Sequence, residues 1–148
     1  MSAVHADEPG GIDWRTTAPR DEKLQRLIQV MPGASNLMLQ MGDRYRNLYW
    51  AGRQGKWSFA EYQAEEMQDL VETLQITRPS RAATAQEFLD RVYPEIIEAA
   101  GSGEPQRFAK AFRDLRQACM DCHVKNDHGF IVLPEEPRSA PSPVLEVE

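Results

Sequence analysis

Residues 105–125 read PQRFAKAFRDLRQACMDCHVK, and this stretch decides the fold. Phe108, Phe112, Leu115, Cys119 and Cys122 fall at offsets 0, 4, 7, 11 and 14, which lines one side of an α-helix. Pro105 stands at the start, where a missing amide costs a helix least. Moving outward, Leu89, Val92, Ile96 and Ala99 form a seam of the same period, closed by Gly101-Ser102-Gly103. Thr84-Ala85-Gln86-Glu87 reads as its opening capping box. Pro94 predicts a mild kink there, because its ring displaces one backbone bond. Further out, Met67, Leu70, Val71 and Leu74 form the core face of a helix opened by the capping box Ser58-Phe59-Ala60-Glu61 and stopped by Pro79. Met38, Met41, Tyr45 and Leu48 mark the earliest long helix, which begins near Gly33–Ser35 and ends at Gly52 and Gly55.

No run carries the sustained period-two alternation that a sheet needs. Four helices of about 18–20 residues, each near 30 Å long, predict an all-α, antiparallel up-down-up-down four-helix bundle over residues 33–126. Residues 1–32 are a lead-in. It is irregular from Asp7 to about Arg20, and Leu24, Leu27, Ile28 and Met31 then give two helical turns before Pro32-Gly33. Ser2-Ala3-Val4-His5-Ala6, followed by Asp7-Glu8-Pro9, reads like the end of a signal peptide, with small residues at Val4 and Ala6. Residues 127–148, rich in proline and glutamate, read as an extended tail.

At 148 residues the chain has room for one sizeable core, and 41% apolar with 27% charged residues is ordinary for a globular domain. The net charge of −6 argues against nucleic acid or an anionic membrane as main partner, since both need a basic surface. No apolar run approaches the roughly 18 residues of a membrane-inserting helix.

The two cysteines are too few for a disulfide scaffold, so their spacing needs another explanation. Cys119-Met120-Asp121-Cys122-His123 is C-x-x-C-H, the attachment pattern of c-type haem. On a helix the second cysteine and the histidine lie three and four positions beyond the first, so all three crowd one face. Two thiols can then form thioethers while the imidazole reaches the iron. A thioredoxin-like pair is the first alternative, but its thiolate wants a helix N-terminus, and this pair lies late in a helix. Zinc held by Cys119, Cys122, His123 and His128 is the second, against which adjacent Cys-His ligands strain a tetrahedron. A chance match in a buried seam is the third. The motif favours one covalently attached haem c.

With methionines early and the haem motif on the last helix, the sequence resembles the class II c-type cytochromes, the cytochrome c-prime group. That group consists of four-helix bundles with haem on helix four. The resemblance covers roughly residues 33–125. Where that group carries an aromatic and a basic residue, this chain has Asn126 and Asp127. Asn47-Leu48-Tyr49-Trp50-Ala51-Gly52, with Trp57 and His128-Gly129-Phe130-Ile131, looks more like a divergent branch of exported bacterial haem proteins.

In an antiparallel bundle the end of the last helix sits level with the start of the first, so Met38 and Met41 face the haem. A thioether is a soft ligand that favours Fe(II), and a His/Met pair raises the potential relative to His/His. Filling the core is the bland alternative for both methionines. Level in the bundle, and the recurrent methionine of the resembling proteins, put Met38 ahead of Met41 as second axial ligand to His123. His128 is the competitor, and more simply a partner for a haem carboxylate or a backbone carbonyl. Arg44, Arg116 and Lys125 are further candidates for the haem carboxylates. Tyr45, Tyr49, Trp50 and Trp57 read as core packing. The second helix carries Glu61, Glu65, Glu66, Asp69 and Glu72 with no basic residue, a solvated face that can also steer a basic redox partner.

The expectation is a periplasmic monohaem cytochrome that carries one electron to and from redox partner proteins and catalyses nothing itself. The resemblance also allows homodimer formation through helix faces. The alternative function is a five-coordinate haem protein that binds nitric oxide or carbon monoxide, which requires that neither Met38 nor Met41 coordinates.

Overall fold

The structure, a computed structural model, describes residues 13–138. The signal-peptide reading on residues 2–6 and the tail beyond residue 138 lie outside the described residues. Every regular element among the described residues is helical. The chain divides into two units, one ending at Met31 and one beginning at Pro32.

The first unit holds α1 (Trp14–Thr17) and α2 (Arg20–Val30). Helix α1 falls where irregular chain was expected. The Asp13 carboxylate accepts from the Arg15 amide at 3.0 Å and closes that single turn. Helix α2 matches the short apolar period, and Leu24, Leu27 and Ile28 on it are exposed.

The second unit holds α3 (Ala34–Arg53), α4 (Trp57–Thr77), a 3-10 turn at Pro79–Arg81, α5 (Ala82–Glu87), a π-helical segment (Phe88–Val92), α6 (Tyr93–Ser102) and α7 (Pro105–Lys125). Helix α3 packs on α4, α4 on α6, α6 on α7, and α7 on α3. The core between them contains Met41, Tyr45, Leu48, Met67, Val71, Leu74, Val92, Ile96, Phe108, Phe112, Leu115 and Cys119, all from the predicted seams. Leu70 and Leu89 are only partly buried, whereas Leu37, Phe88 and Tyr93, outside those seams, are buried.

Neither capping box forms. Helix α3 ends with Gly55 in the left-handed region at φ 69°, while the Lys56 amide reaches back to the Ala51 carbonyl at 2.9 Å and the Gly55 amide to the Gly52 carbonyl at 3.3 Å. This is a Schellman closure. It delivers the chain straight into α4 at Trp57, so Ser58 is already helical and has no orphan amide to cap. Thr84 is likewise inside a helix, because the turn nucleated by Pro79 runs directly into α5. At Pro94 the predicted disturbance takes the form of a wide turn. The Tyr93 amide bonds the Phe88 carbonyl five residues back, which gives the proline ring room inside a continuous rod.

Helices α3 and α7 approach closely at Gly52, where a Cβ would lie 1.9 Å from Phe108 Cε1. Gly42 on the same helix has nothing within 4 Å of such a carbon. Gly52→Ala is therefore expected to destabilise the protein by about 1–3 kcal/mol through overpacking. Gly42→Ala is expected to stabilise it by about 0.5–1 kcal/mol through helix propensity. Denaturant unfolding of the two variants tests the opposite signs.

Candidate functional site

The last turns of α7 carry Cys119, Cys122 and His123, and the first two turns of α3 carry Met38 and Met41. All five line one cavity of about 200 Å3. Met67, Val71 and Leu74 of α4, with Ala85 and Phe88, supply apolar walls, so the helix levels meet as the seams predict. Cys119 is buried, Cys122 half-buried, and both are free thiols.

Burial, and secondarily the neighbouring Cys122, pushes the Cys119 thiol up to about 12. Burial also raises Cys122, against hydrogen bonds from its contacts with Thr84 and Asn126. A redox nucleophile needs the opposite shift. Among the described residues no group of three or more His, Cys, Asp or Glu side chains is arranged to hold a metal ion.

His123 is oriented by the chain that follows it. Its Nδ1 lies 3.0 Å from the Ile131 carbonyl, and a carbonyl only accepts, so Nδ1 carries the proton. The lone pair is then on Nε2, the tautomer an iron ligand needs. A second Schellman closure makes this contact. Asp127 takes φ 62°, the His128 amide bonds the His123 carbonyl at 2.7 Å, and the Asp127 amide bonds the Val124 carbonyl at 3.2 Å. His128 thus spends its backbone on closing α7. Its exposed ring contacts the Asn126 carbonyl and does not line the cavity.

Asn126, where the sequence departs from the resembling family, clamps this corner. Its Oδ1 accepts from Arg81 Nη1 at 2.6 Å, and its Nδ2 donates to the Cys122 carbonyl at 2.8 Å and to Thr84 Oγ1 at 2.9 Å. The clamp fixes the end of α7 against the start of α5. Asn126→Ala should cost about 1–3 kcal/mol, since it strands partly buried donors and an acceptor. Thermal unfolding of the variant measures that loss.

The two methionines differ. Met41 is buried and its sulfur accepts a hydrogen bond from the Tyr93 hydroxyl at 3.5 Å, whereas Met38 is partly buried and its sulfur makes no hydrogen bond among the described residues. Burial pushes Tyr93 well above the usual range, so it stays a donor. Of the cations expected near haem carboxylates, none lines the cavity. Arg44 pairs with Glu66 at 2.7 Å, Arg116 donates to the Leu133 carbonyl at 2.9 Å, and Lys125 lies 3.7 Å from Glu87.

The described part of the tail is without regular structure but docked. Tyr45 Oη donates to the Pro134 carbonyl at 2.8 Å and Trp50 Nε1 to the Pro137 carbonyl at 2.9 Å. Ile131 and Leu133 from this segment line the cavity. The aromatic group packs as expected: Tyr45 stacks on Phe112 at 4.7 Å, and Trp57 meets Phe108 at 5.7 Å.

The donor set fits haem c in chemistry. Two protonated thiols and an imidazole share a helix face, a thioether stands on the neighbouring helix, and the walls are apolar. The cavity volume of about 200 Å3 is below the roughly 300–1,000 Å3 of small-molecule pockets, so a macrocycle requires the cavity to widen. Tyr93, Asn126, Arg81 and Ile131 escape the sequence reading. Asn126 left a signal as a break in a family pattern, and Ile131 only as part of the segment His128-Gly129-Phe130-Ile131.

No known family, curated relative or solved structure matches the chain.

Proposed function

We propose that this chain is a periplasmic monohaem c-type cytochrome that carries single electrons, related in kind to the class II group and not an enzyme. The single observation that carries the reading is the convergence of Cys119, Cys122, His123 and Met38 on one apolar cavity. The helices α3, α4, the rod from α5 to α6, and α7 are proposed to run up-down-up-down as an antiparallel four-helix bundle.

Haem c, when bound, supplies the Fe(III)/Fe(II) couple. Cys119 and Cys122 would hold it through thioethers. His123 presents Nε2, kept in that tautomer by the Ile131 carbonyl at 3.0 Å. Met38 presents a soft sulfur that favours the reduced state. Met67, Val71, Leu74 and Phe88 give the site apolar walls. The acidic face of α4 steers a basic redox protein.

The test is the full chain, expressed with an export signal and a cytochrome c maturation system. One haem per chain that survives acid-acetone extraction is expected. Extractable haem, or zinc with no Soret band, overturns the reading.

A further inference from the structure

Tyr93, the first residue of α6, is wholly buried and lines the same cavity as Met38, Met41 and the α7 motif. Its ring packs on Phe88 with centroids 5.8 Å apart. Its hydroxyl donates to Met41 Sδ at 3.5 Å, across 52 residues of chain. The two methionine sulfurs are therefore not equivalent, although both belong to the first turns of α3 and line the same space.

The geometry points to Tyr93 as the positioning residue that selects between the two methionines, by tying the Met41 sulfur into the protein wall and leaving Met38 free to coordinate. The inference rests on the reading of the chain as a His/Met haem protein. Methionine is unbranched and adaptable, and its sulfur is a weak acceptor. Left to itself, Met41 is as soft a ligand as Met38 and sits one helical turn away. Turning its sulfur to iron would break the bond to Tyr93. That hydroxyl, fully buried among Met41, Phe88 and other apolar side chains, would lose its partner. Ligation by Met38 breaks no such bond. The Tyr93 hydroxyl thus biases an equilibrium between two axial ligands without touching iron.

The test uses the matured full chain with its methionine methyl groups labelled with carbon-13, read by NMR in the reduced state. One of the six methionine methyls should be shifted far upfield by the macrocycle. It should vanish in Met38→Leu and persist in Met41→Leu. In Tyr93→Phe, which keeps the ring, a second upfield methyl should appear with a population on the order of a tenth or more. Tyr93→Phe/Met41→Leu should restore a single signal, which separates ligand exchange from general loosening of the core. One unchanged methyl in Tyr93→Phe overturns the inference and leaves His/Met ligation standing. An upfield methyl that belongs to Met41 in the unmutated protein also overturns it. Bound haem with no upfield methyl at all overturns both the inference and the His/Met reading.

Discussion

In the matured protein, Met38→Ala is expected to abolish the weak long-wavelength band of an iron–thioether bond and to open the site to carbon monoxide. It should also lower the reduction potential by on the order of 100 mV, because a soft ligand to Fe(II) is lost. Met38 is partly buried at the core's edge, so little packing is lost with it. Met41→Ala should do the converse. It leaves the band in place and costs about 2–4 kcal/mol of stability, since Met41 is buried and its sulfur accepts from Tyr93. Optical titration and chemical unfolding of the same two proteins check both halves. An unmutated protein that is already high-spin and binds carbon monoxide would favour the gas-binding function over the carrier.

The second large effect concerns the motif itself. Cys119→Ala or Cys122→Ala should each leave one thioether and a protein that still holds haem through acid-acetone extraction. His123→Ala removes the proposed ligand, the imidazole that the Ile131 carbonyl orients at 3.0 Å, and it should lose the low-spin spectrum entirely. Haem content and spin state, measured side by side on the three variants, decide the matter. Equal tolerance of all three changes would contradict the role given to the histidine.

Much of this was legible from spacing alone. The offsets from Phe108 to Cys122 and from Met38 to Leu48 needed only the helical period, and residues of both seams share the cavity with Met67, Val71 and Leu74 of the α4 seam. What escaped depends on partners distant in sequence. Tyr93 looks like any aromatic beside a proline until α3 brings Met41 to its hydroxyl. Asn126 reads as a missing family feature until Arg81 and Thr84, more than forty residues earlier, close on its amide. The capping boxes failed for a local reason: the preceding turn had already supplied the helix start, at Lys56 and again at Arg81. His128 takes the backbone-carbonyl contact expected of it, with its ring on the Asn126 carbonyl and its amide closing α7 behind a left-handed Asp127.

The docked tail also bears on the order of events in folding. Most contacts in a helical protein are local and form fast, whereas pairings that close long loops wait for them. The bonds from Tyr45 to Pro134 and from Trp50 to Pro137 span 89 and 87 residues. The tail is therefore expected to dock onto a helical frame already in place and to leave first on unfolding. Until it docks, Ile131 and Leu133 are missing from the cavity wall. In the proposed haem protein, that interval, with α7 formed and one side still open, is when a broad planar group would gain access to Cys119 and Cys122.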